Sequence, residues 1–143
     1  LATNDQILLK VANATKLTMN STGQTTIVGE GGTTTTSVQQ GLCKVWATFD
    51  GTASGATERD SFNVASTDDD GTGLYGVNFT NAMSSANFSG LAQRGILTGG
   101  ETTGGANCNR LTTGSIDKIQ AYGDGGSLQD RDNITCQVTG DLA

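Results

Sequence analysis

Asp68, Asp69 and Asp70, followed by Gly71-Thr72-Gly73, form the densest cluster of chemistry-bearing residues in this 143-residue chain. Oxygens from Asp68, Asp70 and Thr72 would fill positions 1, 3 and 5 of a calcium loop. Position 12 of such a loop needs a carboxylate, and here it is Phe79. The cluster is therefore read as a hairpin turn, in which Asp-Gly supplies the positive φ that tight turns require. A glycosidase pair would have to come from Glu58, Asp60, Glu101, Asp117, Asp124, Asp130 and Asp132. No spacing among these selects two, and Asp in a turn more commonly caps backbone donors. The chain has no His, which removes Ser-His-Asp and Cys-His nucleophile systems and His-ligated metals. Gly71-Thr72-Gly73 precedes no helix and so cradles no phosphate. Sequons at Asn13, Asn20, Asn78, Asn87 and Asn133 carry no weight in a chain so rich in Asn, Ser and Thr.

The three cysteines, Cys43, Cys108 and Cys136, are far from paired C-x-x-C spacing and permit at most one disulfide. They are read as small hydrophobes. Cys43 is expected to be buried and reduced, which leaves Cys108 and Cys136 as the remaining pair for a bridge. Neither catalytic residues, a metal nor a cofactor is assigned. The one side chain singled out is Trp46, with Lys44 beside it. Strand alternation projects both from the face opposite Val45 and Phe49. An aromatic in that setting either stacks on a sugar ring or anchors a subunit interface, and the interface is the preferred reading.

Composition sets the background for these residues. Thr (23), Gly (21), Ser (10) and Asn (10) supply 64 of 143 residues, which favours short strands and tight turns. Pro is absent, only 15% of residues are charged, and the net charge is −6. Eight scattered basic residues give no patch for nucleic acid. No apolar run approaches the roughly 20 residues of a membrane span. The first residue is Leu rather than Met, as expected of a processed or trimmed piece of something longer.

Residues 1–29 read as a small N-terminal β unit with strands over 6–11, 16–20 and 24–28, too thin to bury much by itself. The Gly/Thr-rich stretch 30–41 lacks apolar alternation and reads as a linker. Residues 42–143 read as the main β domain. Its strands are expected over 42–49, 61–66, 74–80, 88–97, 115–122 and 133–138, with one helical turn over 81–87 and Gly-rich loops near 99–105 and 123–126. The first three strands are predicted to share one apolar face of Val45, Ala47, Phe49, Phe62, Val64, Tyr75, Val77 and Phe79. The fold class is all-β, an antiparallel sandwich-like domain preceded by the small β unit.

Three runs carry a resemblance: Gly41-Leu42-Cys43-Lys44-Val45-Trp46-Ala47-Thr48-Phe49-Asp50-Gly51, then Arg59-Asp60-Ser61-Phe62-Asn63-Val64, then the stretch from Asp70-Gly71-Thr72-Gly73 through Met83, ending in Asn87-Phe88. Together they resemble a β module of tailed-bacteriophage tail-fibre and related virion proteins. The likeness covers 41–88, about a third of the chain, and departs from the module at Cys43, Val45, Glu58 and Phe88. Residues 7–27 more weakly resemble the β-repeat that precedes such tips. The resemblance implies a non-enzymatic homotrimer on the exterior of a phage particle, contacting other virion proteins and a host surface glycan or protein. A capsid decoration or head-fibre protein is the alternative, and a capsule-degrading enzyme is a third, distant class. Trimerisation also has a physical motive, since short strands with little core can bury apolar faces against symmetry mates. Trp46 is expected at or near such a contact.

Overall fold

The structure is a computed structural model that describes residues 6–29, 31–95 and 104–142. It is nearly all β, with three four-stranded antiparallel sheets, and divides into two compact units, Leu1–Leu42 and Cys43–Ala143.

The first unit is a meander of β1 (Ile7–Val11), β2 (Ala14–Met19), β3 (Thr25–Val28) and β4 (Thr35–Ser37). Ala12 and Asn13 join the first two strands with φ of 50° and 61°, the doubly left-handed turn whose twist suits a hairpin. The stretch expected to be a linker is structured instead. Thr35, Thr36 and Ser37 pair with β3, because β-branched residues beside an open sheet edge complete the ladder. Ser37 then caps a one-turn helix, α1 (Val38–Gly41), and the Gln39 side chain bonds Thr25 N and Gly23 O. The unit boundary consequently falls at residue 42, after a sheet of four strands rather than three.

Pairing in this sheet aligns Ile7 with Met19, and Leu9 with Leu17 and Ile27. Directly paired residues share a face, so five apolar side chains line one side. No described residue of the unit is buried, and Ile7 and Leu9 are 62% and 59% exposed.

The second unit contains β5 (Cys43–Asp50), β6 (Thr57–Phe62), β7 (Val64–Gly71), β8 (Leu74–Phe79), β9 (Ser89–Gly95), β10 (Ala106–Thr112), β11 (Ser115–Ala121) and β12 (Asn133–Thr139). One sheet has the order β10-β11-β8-β7 and the other β6-β5-β12-β9. Their inner faces form one core that includes Val45, Phe49, Tyr75, Val77, Ile116, Ile119, Ile134 and Val138, all with no exposed surface. Phe49 and Tyr75, from opposite sheets, meet edge-to-face with ring centroids 5.4 Å apart.

Several expectations change here. The strand predicted over 61–66 is broken at Asn63, whose φ of 58° lets its chain cross from one sheet to the other. The Asn63 side chain donates to the Lys44 and Asn81 carbonyls and holds this corner. As a result, β5 and β8 lie in opposite sheets rather than sharing one face. Phe62 is 53% exposed and Val64 half-buried, whereas Phe49 and Phe79 are buried as expected. The triple aspartate is inside β7, and the turn is Thr72-Gly73. Gly73 has φ +66°, and a Cβ there would stand 2.5 Å from Gln129 N. No helical turn forms over 81–87; Met83 is instead buried and bridges to Leu142. Strand β10 had no sequence signal, because Asn107, Asn109 and Arg110 mask any alternation. The loop expected near 99–105 lies mostly outside the described residues.

The core has one polar end. The buried Tyr75 hydroxyl donates to Gly51 O (3.1 Å), accepts from Arg131 N (3.3 Å) and lies 3.4 Å from Asp130 Oδ1. Asp130 Oδ1 in turn accepts from Gly73 N at 2.7 Å. Burial, with the nearby Asp130 charge adding to it, pushes the Tyr75 phenol up to about 12.

Candidate functional site

Strands β5, β12 and β9 are neighbours, and their registers put specific side chains in rows across the sheet. Trp46 pairs with Gln137, which pairs with Leu91, and Phe62 of β6 extends that row on the other side of Trp46. The next row on the same face is Thr48, Thr135 and Gln93. The row between them, Ala47, Cys136 and Ala92, turns to the core. Its side chains are all small and lie on the inner face. Between the outer rows is a depression of about 500 Å³ lined by Trp46, Gln137 and Leu91 of one row and Thr48, Thr135 and Gln93 of the other, with Ala47, Ala92 and Cys136 beneath them.

Trp46 is 36% exposed and Leu91 61% exposed. Thr48 Oγ1 donates to Asn133 Oδ1 at 3.0 Å, and Thr135 Oγ1 to Gln93 O at 3.4 Å. Among the described residues, the side-chain amides of Gln93 and Gln137 have no hydrogen-bond partner. No lining side chain is charged. Among the described residues around the depression the one thiol is that of Cys136, which turns to the core. Burial pushes it up to about 12, with Cys108 adding to the shift, so it stays protonated. The arrangement provides one aromatic face, one aliphatic wall, two amides and two hydroxyls, which is equipment for non-covalent recognition.

Trp46 lies on the outer face, as its alternation indicated. Lys44 does not accompany it. Pairing jumps from Val138–Val45 to Thr139–Cys43, so Lys44 is the extra residue of a β-bulge. A bulge resets which face the following side chains use. Lys44 is therefore 8% exposed, and Cys43 is exposed rather than buried. Cys43 Sγ lies 3.1 Å from Val45 O. All three cysteines are free thiols, so the pairing of Cys108 with Cys136 is not formed.

Asp68 Oδ2 accepts from Asn78 Nδ2 (2.6 Å) and Asp69 Oδ1 from Gly71 N (3.0 Å). Among the described residues, no three His, Cys, Asp or Glu side chains gather as a metal site. The remaining members of the depression escaped sequence reasoning because Leu91, Gln93, Thr135 and Gln137 lie far from Trp46 along the chain. One signal was present: Ile134, Cys136 and Val138 alternate inward, which leaves Thr135 and Gln137 facing out. Comparison with family models, curated proteins and solved structures finds no match for this chain.

Proposed function

We propose that this chain is a structural protein of a bacteriophage virion, a tail-fibre or tail-tip component. It acts as a homotrimer whose C-terminal sandwich is displayed for attachment to a host surface. The likeness of residues 41–88 to virion appendage modules supports the class of protein. The observation that carries the reading is the N-terminal sheet. Its Ile7, Leu9, Leu17, Met19 and Ile27 lie on one face, and no described residue of the unit is buried. A four-stranded sheet with an open apolar face has no core of its own and calls for a covering layer. Three copies packing these faces about a common axis supply that layer, as stalk segments of a fibre do. Each copy also leaves edge strands such as β1, which a neighbour can shield.

Sedimentation of the full chain at micromolar concentration tests the assembly, with a trimer as the expected result. Leu9→Glu combined with Leu17→Glu is expected to yield monomers in which the 43–143 sandwich still melts cooperatively. A well-folded wild-type monomer with protected amides in β1 and β2 would overturn the trimer. Immunogold labelling of intact particles from the encoding genome tests location. A few copies, in multiples of three, are expected at the tail, whereas dense labelling of the capsid refutes the tail assignment.

A further inference from the structure

We infer that the outer-face depression on β5, β12 and β9 is a binding site for neutral carbohydrate, with the Trp46 indole as the stacking platform and the Gln93 and Gln137 amides as the hydroxyl-reading groups. The inference rests on the attachment reading above and names the ligand class for it.

The lining matches what a pyranose presents. One side of such a ring carries polarised C–H groups, and the negative face of an indole attracts them. The rim carries hydroxyls that both donate and accept. A primary amide offers two donors and an acceptor, and a Thr hydroxyl offers one donor and two acceptor sites. Gln137 sits between Trp46 and Leu91, and Gln93 lies one row along beside Thr135. Both amides are uncommitted within the described protein, so a ligand engages them without breaking an internal bond. From Trp46 to Leu91 is two interstrand steps, about 10 Å. The depression, about 500 Å³, falls within the range of about 300–1,000 Å³ usual for small-ligand sites. Phe62, paired directly with Trp46 and 53% exposed, adds a second aromatic one strand further out. An oligosaccharide would thus run across the strands, from Leu91 over Trp46 toward Phe62.

Charge narrows the class. No Lys or Arg lines the depression, Lys44 is buried at its bulge, and the chain carries net −6. Sialic and uronic acids would meet no counter-charge and a repelling field. A second protein copy is the competing occupant. It would leave the two amides needing partners at the centre of a desolvated contact, where an unpaired polar group is costly.

The chain contains a single Trp, so selectively excited tryptophan emission reports on this site alone. The full chain is titrated with neutral oligosaccharides built from glucose, galactose, mannose, rhamnose or N-acetylglucosamine, and in parallel with sialylated and uronic-acid oligosaccharides. A saturable change in Trp46 emission is expected with at least one neutral probe and with none of the acidic ones. Gln93→Ala with Gln137→Ala keeps the reporter and is expected to weaken that binding by about tenfold, two neutral hydrogen bonds having been removed. Thermal melting checks that this variant is folded. Three results overturn the inference: no response to any neutral probe, an undiminished response in the folded double variant, or Trp46 emission that depends on protein concentration and is shielded from soluble quenchers without sugar. The last would assign the face to a second copy. Sedimentation and particle labelling are read independently, so these failures leave the virion assignment standing.

Discussion

Tyr75→Phe tests how the core of the sandwich is closed at its polar end. The substitution keeps the ring, its edge-to-face contact with Phe49 and its volume, and removes only the hydroxyl oxygen. Gly51 O loses its donor and Arg131 N its acceptor, both in a region where Tyr75 has no exposed surface. A buried group left without its partner costs about 1–3 kcal/mol. In a domain of this size each kcal/mol corresponds to about 4–8 °C in the unfolding midpoint. The same hydroxyl imposes a pH dependence. The unfolded phenol ionises near its ordinary value of 10.0, whereas the folded one is pushed up to about 12. The folded state therefore holds a proton that the unfolded state has released, so this contribution is complete below pH 10 and is lost as pH rises to about 12. Within that window stability falls by up to about 1.4 kcal/mol per pH unit for the group. Urea unfolding at neutral pH and across the alkaline range, with phenolate absorbance followed in parallel, reads both effects. The variant should be less stable at neutral pH and its alkaline loss shallower than that of wild type. Stability within about 0.5 kcal/mol of wild type, the scatter of an ordinary surface substitution, together with an unchanged alkaline slope, would refute the buried hydroxyl network.

Gly51→Ala should destabilise the same end by about 1–3 kcal/mol through overpacking, because its Cβ would stand 2.4 Å from Tyr75 Cζ; chemical denaturation measures it. Phe49→Ala, at a site with no exposed surface, should cost about 3–5 kcal/mol in the same assay. Under native conditions a thiol reagent should modify Cys43 rapidly and leave Cys136 unreacted until unfolding, since the first is exposed and the second buried; peptide mass spectrometry identifies the labelled residue. Cys108, pushed up to about 11, and Cys136, to about 12, both by burial, should add to the alkaline loss between pH 9 and 12. Cys136→Ala should reduce the slope there.

Local pattern was enough to establish that the chain is β and where most strands run. Side-chain alternation is written into consecutive residues, and Asn, Gly and Asp punctuate it. It placed Phe49, Tyr75, Val77 and Phe79 inside and Trp46 outside, and the likeness over 41–88 suggested a class of protein. What local pattern does not contain is the consequence of a single residue out of phase. The bulge at Lys44 exchanges the expected environments of Cys43 and Lys44, and the left-handed Asn63 sends an apparently continuous strand into two sheets. Both depend on which backbone groups the neighbouring strands leave to be paired, a condition met only after assembly. The segment Thr35–Ser37 likewise becomes a strand because β3 offers it an edge. The depression beside Trp46 belongs wholly to this second category. Trp46 falls in one row with Gln137 and Leu91 only because β12 inserts between β5 and β9. A juxtaposition of residues so distant in the chain is fixed by the strand order and register of one sheet, and no period in the sequence records it.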